Sequence, residues 1–314
     1  MLRRSLSFFS ATQRASLCSR LASRPRHLSS PPAPPSAPTH ADYLSTLGVQ
    51  KLEKGSYSIF TSCLYGGVLL SLGGASYAVI TGGSPGLQED NPGLHRLLGG
   101  AVFPVGLAMI TVAQAELLTS NFFLVAFPLL AHPATPASSA GGRALAYNAL
   151  RVWSASLAGN FAGSLLVAVA CAGTMFSAGP HKRWVAQLAE AKCTQPLPTV
   201  FLKAIGANFL VNVAVTMAAH AQTPGGKIAA LWGPICVFVV LGLEHSVANM
   251  FLIPLGMMCG ADVILPEYLL DNLLPVIAGN LVGAVLLAHL QAPLLAPKLV
   301  RLALGRGGAS KRLG

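Results

Sequence analysis

Long apolar stretches separated by short polar segments make up most of the chain from residue 55 onward. Residues 55–88, 152–180 and 272–297 contain no Asp, Glu, Lys or Arg, and residues 97–131 and 228–261 contain one each. About 20 apolar residues are enough for an α-helix to cross a bilayer. The pattern therefore predicts an all-α membrane protein with six transmembrane helices, at about 60–83, 97–131, 152–178, 201–221, 228–261 and 272–291.

Spans two and five are too long to be single helices. Residues 97–131 number 35 and residues 228–261 number 34, whereas a simple crossing needs about 20. Each has polar residues near its middle, from Glu116 to Asn121 and from Glu244 to Asn249. Transporters often place broken helices around a solute site at membrane depth. We therefore predict that both spans are broken and that they form a path for a small solute.

An internal repeat relates the two halves of the chain. The tripeptide Ala-Gly-Asn that ends at Asn160 recurs 120 residues later and ends at Asn280. Glu116 recurs 128 residues later as Glu244. Because three spans make up each half, the halves must have opposite orientations in the membrane. The sequence thus predicts an inverted 3+3 repeat with a site at the midplane between the broken helices.

Composition agrees with a membrane protein and argues against nucleic acid as a partner. Only 10% of the residues are charged and mean hydropathy is +0.60, whereas soluble domains carry about 25% charged residues. The net charge of +11 is concentrated at the two ends of the chain. No basic face interleaved with aromatic residues occurs between them, as a nucleic-acid surface would require. The expected surroundings are a lipid bilayer.

Three segments are predicted. Residues 1–41 are rich in Arg and Ser and lack acids before Asp42, which is typical of an organelle transit peptide followed by a Pro-rich linker. A basic tail kept at the membrane surface is the alternative. Residues 42–297 form the membrane domain and residues 298–314 a basic tail. The Arg-led start favours a mitochondrial inner membrane over a plastid envelope, with both termini on the positive side.

Three ionisable residues fall inside predicted spans, where such residues are costly and usually functional. Glu116 and Glu244 occupy equivalent positions, so we expect a shared role. Each either accepts hydrogen bonds from backbone N–H groups freed at its helix break or belongs to a proton relay. His245 has no equivalent, because Leu117 takes its place in the first half. It is either a satisfied core histidine or, as its polar neighbours favour, a pore-lining group that titrates near physiological pH.

Asparagines in the spans leave two interpretations open. Asn160 and Asn280 follow glycines that allow close approach of helices, so they serve packing or line the pore. Asn208 and Asn212 on span four have the same alternatives. The six cysteines show no Cys-x-x-Cys spacing and are expected to be small buried hydrophobes. No cofactor or metal is predicted.

Six stretches at these positions resemble the formate/nitrite transporter family: NPGLHRLLGGAVFPVGLAMI, AELLTSN, SLAGNFAGS, KAIGANFLVNVAV, GLEHSVANMFLIPLG and DNLLPVIAGNLVGA. They occur in order over about residues 50–295. The resemblance implies a homopentamer of aquaporin-like protomers, each with its own pore. Leu118 and Asn212 depart from the family pattern, which often has Phe and Cys at these positions, and the loop before span six is short.

The resemblance also implies roles for individual residues. Thr119 and Asn249 are expected on the loops of the two broken spans, facing a central His245. Lys192 matches a lysine of the entrance vestibule. Four residues match hydrophobic constrictions above and below the histidine: Phe103, Leu107, Leu117 and Phe238.

The predicted function is transport, not catalysis. A small weak-acid anion such as formate or nitrite would be concentrated by Lys192 and would cross with a proton or as the neutral acid. One alternative is an aquaporin-like channel, but the Asn-Pro-Ala motifs of such channels do not occur. A second is an intramembrane hydrolase that pairs Ser246 or Ser120 with His245. No span contains an Asp for an aspartyl protease.

Overall fold

The structure is a computed structural model that describes residues 40–131 and 140–295. Within these two ranges every regular element is a helix, so the prediction of an all-α protein is confirmed. The predicted leader lies almost entirely outside the described residues, and the basic tail lies wholly outside them. The fold described below is therefore that of the membrane domain.

The first half of the domain begins with a short helix that precedes the first long apolar one. Its elements are α1 (His40–Glu53), α2 (Ser56–Gly82), α3 (Pro85–Asp90), α4 (Pro92–Val102), α5 (Val105–Ala113), α6 (Leu118–Ala131) and α7 (Ala140–Ala172).

The second half begins in the same way, with a short helix ahead of a long one. Its elements are α8 (Gly179–Cys193), α9 (Leu197–His220), α10 (Pro224–Val240), α11 (Ser246–Met258), the single turn α12 (Leu265–Glu267), a π-helical turn (Tyr268–Leu273) and α13 (Leu274–Leu295).

Within residues 40–131 and 140–295, five helical stretches are long and apolar enough to cross a membrane: Ser56–Gly82, Pro92–Ala113, Gly142–Ala172, Leu197–His220 and Leu265–Gln291. The remaining predicted span, residues 228–261, is divided into α10 and α11, of 17 and 13 residues. Neither piece alone matches the ~20 residues of a full crossing. The predicted break in this span is therefore present, and span three ends earlier than predicted, at Ala172.

Both predicted breaks occur, but each begins a few residues earlier than expected. The first leaves Gln114–Leu117 outside any helix, and the second leaves Leu241–His245. Each contains a residue with left-handed backbone, Gln114 at φ 55° and Gly242 at φ 64°, which ends a helix by turning the chain away from its axis. Thr119 therefore lies in the first turn of α6 and not on a loop, and Asn249 likewise lies in the first turn of α11.

Glycines allow two pairs of helices to pack with their backbones in contact. A Cβ atom at Gly163 of α7 would overlap the carbonyl oxygen of Leu64 in α2. In the second half, a Cβ atom at Gly283 of α13 would overlap the carbonyl oxygen of Ile205 in α9. Small residues at such crossings let transmembrane helices approach closely. These two contacts hold α7 against α2 and α13 against α9.

Candidate functional site

The carboxylate of Glu244, at the second helix break, is surrounded by side-chain donors. Lys192 at the end of α8 donates to Oε2 at 2.9 Å, and Asn249 donates to the same oxygen at 2.7 Å. Gln195 donates to Oε1 at 3.2 Å. The Glu244 side chain is 2% exposed and that of Lys192 is 13% exposed. Burial of the carboxylate is thus compensated by one cation and two amides.

Glu116, at the first break, is held in the same way by two cations, Lys51 in the last turn of α1 and Lys54 just after it. The ammonium groups of Lys51 and Lys54 lie 2.8 and 2.6 Å from its Oε1 atom. Asn121, five residues later in α6, donates to Oε2 at 3.2 Å. Of the two alternatives for the glutamates, backbone N–H groups freed at the breaks are not the donors seen here. The donors are side chains of lysine, asparagine and, for Glu244, glutamine.

The freed backbone groups are instead bound by the repeated asparagines. The N–H of Leu118, which opens α6, donates to Oδ1 of Asn160 at 2.7 Å. The N–H of Ser246, which opens α11, donates to Oδ1 of Asn280 at 2.8 Å. Each asparagine also donates to the carbonyl of the break glutamate, at 3.1 Å for Glu116 and 3.0 Å for Glu244. Asn160 and Asn280 therefore act as caps that fasten the broken ends to α7 and α13.

His245 is the last residue of the second break and forms the N-cap of α11. Its Nδ1 accepts a hydrogen bond from the backbone N–H of Ala248 at 3.2 Å. Its Nε2 lies 3.1 Å from Oγ1 of Thr119. Because a backbone N–H can only donate, Nδ1 carries no proton here, and the ring proton of the neutral imidazole is on Nε2. His245 therefore donates to Thr119 in this arrangement.

Thr119 is fixed in place by the asparagines of α9. Its carbonyl oxygen accepts from Asn208 at 3.3 Å, and Asn208 also donates to the carbonyl of Asn280 at 2.7 Å. Asn212 donates to Oδ1 of Asn208 at 2.9 Å. One buried amide thus joins α6 of the first broken span to α13, whose Asn280 caps α11. Asn249 was expected to face His245, but its side chain binds Glu244 and Asn272 instead.

A cavity of about 320 Å³ opens on one side of His245. Its wall combines apolar side chains with three cations, Arg96, Lys192 and Lys203, and one acid, Glu244. The formal charge of this wall, three cations against one acid, is therefore +2. We call this cavity the vestibule. At its inner end stand Phe103, from the kink between α4 and α5, and Phe238 of α10, with ring centroids 5.8 Å apart.

Behind the two phenylalanines the space narrows to a chamber of about 10 Å³. Its wall is apolar except for His245 and consists of Leu70, Phe103, Leu107, Leu117, Val211, Ile235, Phe238 and His245. A space of this size holds about one water molecule. All four residues predicted as constrictions line this chamber together with the histidine. Neither Asn160, Asn208 nor Asn280 appears in the walls of the two cavities.

The contacts of His245 leave no place for a hydrolytic Ser–His pair. Both ring nitrogens have other partners, Ala248 and Thr119. The Ser246 hydroxyl is buried and has no hydrogen-bond partner among the described residues. A serine nucleophile needs its base within hydrogen-bond reach. Within the described part of the chain, no three His, Cys, Asp or Glu residues come together in a way that could hold a metal ion.

Comparison with known proteins agrees with this geometry. The model of the family described as formate/nitrite transporter matches residues 38–292. The chain belongs to the formate/nitrite transporter family. A probable formate transporter of Methanothermobacter thermautotrophicus is 35% identical over 234 residues, which cover 69% of this chain and 81% of that protein. A formate channel of Bacillus thuringiensis is 32% identical, over 77% of this chain and 88% of its own.

A solved structure shows the same architecture. It is described as a pentameric formate channel with formate bound, and it superposes with a TM-score of 0.65 at 26% identity. The match covers 77% of this chain and 98% of that one. Members of the family are channels and transporters, so the prediction that the chain is not an enzyme is confirmed. This member is an integral membrane protein that transports anions.

Several residues of the site were not predicted from the sequence. They are the two lysines at the end of α1 and directly after it that bind Glu116, and the vestibule residues Arg96, Gln195 and Lys203. The repeat offered one signal that could have found the first pair. Lys51 precedes the start of α2 by five residues, as Lys192 precedes the start of α9. Arg96 and Lys203 carry no comparable signal, because each belongs to an ordinary helical face.

Proposed function

We propose that the chain conducts small monovalent weak-acid anions, such as formate or nitrite, which cross with a proton or as the neutral acid past His245. The observation that carries the proposal is the order in which a solute meets two different environments along the path. A cationic vestibule leads to an apolar chamber that contains one polar side chain. The vestibule attracts an anion, while the chamber excludes it unless its charge is removed.

The size and chemistry of the chamber support passage of the neutral form. An ionised carboxylate without partners in an apolar surrounding costs many kcal/mol. A chamber of about 10 Å³ has no room for the water shell that would offset this cost. A weak acid avoids the cost by taking up a proton before it enters. The positive vestibule raises the local anion concentration, and therefore the number of molecules available for protonation.

The hydrogen bonds of His245 favour water, and not the imidazole, as the proton source. With Nδ1 accepting from Ala248, the neutral ring holds a single proton, on Nε2. Giving up that proton would leave an imidazolate anion in an apolar chamber. Protonating Nδ1 first would break the cap of α11. We therefore assign His245 and Thr119 the role of hydrogen-bonding the solute as it crosses.

Thr119 is the group that would donate to the solute. Its Oγ1 accepts the proton of His245 Nε2, so its own hydroxyl hydrogen is directed elsewhere. In the described residues that hydrogen has no protein acceptor. Thr119 itself is not in the chamber wall; a carboxyl or nitrite oxygen that contacts His245 is the proposed acceptor. The ring thus orients the hydroxyl, and the hydroxyl replaces one of the hydrogen bonds that the solute had with water.

Uptake of labelled formate into proteoliposomes tests the proposal, with an internal pH-sensitive dye and an imposed membrane potential. We expect uptake that acidifies the lumen, follows the pH gradient and does not respond to the potential. Replacing His245 by Phe should lower uptake at least about tenfold, because the solute loses the imidazole as a partner and Thr119 loses the group that orients its hydroxyl. His245→Asn should show the same loss although asparagine preserves the helix cap.

Ser246→Ala is the matched control, because the Ser246 hydroxyl is buried and unpartnered, so this variant should transport normally. Unchanged formate uptake in both His245 variants would overturn the role of the histidine. Uptake that follows the membrane potential without acidifying the lumen would overturn the proposal that the charge is removed.

We also propose a homopentamer with one pore in each protomer, residing in an organelle inner membrane. The pentamer is supported by the family and by the pentameric description of the solved formate channel. The membrane is proposed from the composition of residues 1–41 alone. The mass of the purified complex tests the pentamer. The destination of a reporter fused to residues 1–41 tests the proposed membrane. The inverted repeat remains a proposal, supported by the matched contacts of the two breaks.

A further inference from the structure

The four charged side chains of the vestibule differ in whether an opposite charge is paired with them. Lys192 and Glu244 lie 2.9 Å apart, and both side chains are largely buried. Seen from the rest of the vestibule, this pair forms a dipole with no net charge. The excess charge of +2 therefore comes from the other two cations, Arg96 and Lys203.

Lys203 is fixed in the vestibule by a neutral partner. Its ammonium donates to Oε1 of Gln195 at 2.6 Å. The amide of Gln195 is oriented by its second contact, in which Nε2 donates to Oε1 of Glu244 at 3.2 Å. Among residues 40–131 and 140–295, Lys203 has no carboxylate within ion-pair distance. An ammonium group has three protons to donate, and this contact uses one of them.

Arg96 lies at the boundary between two spaces. It lines the vestibule and also a neighbouring cavity of about 490 Å³, whereas Lys203 lines the vestibule alone. The two cavities also share Tyr77 and Leu188. In the described part of the chain, no acid pairs with Arg96 either. Its guanidinium can therefore bind a planar oxoanion with two parallel hydrogen bonds.

We propose that Arg96 and Lys203 form a docking site for a small monovalent carboxylate or oxoanion, and that Lys192 serves as the partner of Glu244. The anion binds these two cations in the vestibule before it reaches the phenylalanine constriction. In this proposal Arg96 and Lys203 take the role in anion capture that the sequence analysis gave to Lys192. The inference rests on the proposed function, since it concerns how the same solute enters.

The initial rate of formate uptake, measured at several external concentrations, tests the docking site. Arg96→Gln and Lys203→Gln should each raise the concentration for half-maximal uptake about threefold to tenfold, because each removes one unit of positive charge from the vestibule. The difference in uptake rate between each variant and the parent protein should shrink as external formate increases. Raising the salt concentration should weaken uptake by the parent protein more than uptake by a variant that carries both substitutions.

Arg183→Gln is the matched control. Arg183 is exposed and lines a third cavity with Glu89 and Trp184, outside the vestibule. This variant also removes one positive charge, and it should leave the formate concentration for half-maximal uptake unchanged. Equal effects of all three substitutions would overturn the docking site in favour of a general surface potential. Unchanged uptake in the Arg96 and Lys203 variants would also overturn it, while normal uptake by the parent protein would leave the proposed function intact.

Discussion

Replacing Lys192 by Gln tests whether this lysine stabilises the break in the second half. The substitution removes the only cation within ion-pair distance of Glu244 in the described chain. Removing one member of a buried ion pair costs about 3–5 kcal/mol, because the other charge stays buried without compensation. Asn249 and Gln195 continue to donate to the carboxylate. We therefore expect the free energy of unfolding to fall by about 3 kcal/mol, near the lower end of this range.

The first break provides a matched control, because Glu116 has two lysine partners instead of one. Lys54→Gln leaves Lys51 in contact with the carboxylate at 2.8 Å. The side chain of Lys54 is 42% exposed, and ion pairs at exposed positions contribute about 0–1 kcal/mol. This variant should therefore be almost as stable as the parent protein, although both substitutions remove one lysine from a break glutamate.

Thermal unfolding of the purified protein in detergent measures the difference. A loss of about 3 kcal/mol corresponds to a melting temperature lower by about 6–12 °C for a domain of this size. Adding Glu244→Gln to Lys192→Gln should restore most of the loss, because the uncompensated charge is then gone. The reasoning fails if Lys192→Gln melts with the parent protein, or if the double variant is no more stable than Lys192→Gln.

Three further predictions concern the capped ends and the chamber. Asn280→Leu should lower the free energy of unfolding by about 3 kcal/mol or more, because three buried backbone groups lose their partner. The melting temperature in detergent checks this. Gly242→Ala should lower the free energy of unfolding by about 1–2 kcal/mol. The cause is the left-handed backbone alone, since a Cβ atom there has open space. Gly233→Ala, also in open space but inside α10, should not destabilise the protein. Thr119→Val should lower formate uptake about tenfold without lowering the melting temperature by more than a few degrees, and equal uptake would refute its donor role.

The positions of the spans could be predicted from the sequence because they depend on a one-dimensional property, the length of uncharged apolar runs. The breaks could be predicted for the same reason, since 35 apolar residues exceed one crossing. Their start could not, because it depends on a backbone conformation at Gln114 that this residue rarely adopts. Gly242 at the other break is a more ordinary residue for that conformation.

The partners of the two glutamates could not be predicted, because they come from distant parts of the chain. Lys54 precedes Glu116 by 62 residues, and Lys192 precedes Glu244 by 52. Which donors reach a buried carboxylate depends on how α1 and α8 pack, and no local pattern encodes that. The repeat correctly indicated that the two glutamates share a role. It could not indicate that this role is to bind lysine.

The chamber beside His245 has an electrical consequence. A space for about one water molecule in a wall that is apolar except for His245 offers few partners to a continuous file of water, which would disfavour proton hopping through the pore. Under the proposed function, the voltage across the membrane would fall largely across this layer. A neutral molecule that crosses it does no electrical work, so its flux is set by concentration and acidity. In an energised membrane, such a pore would pass weak acids without discharging the potential.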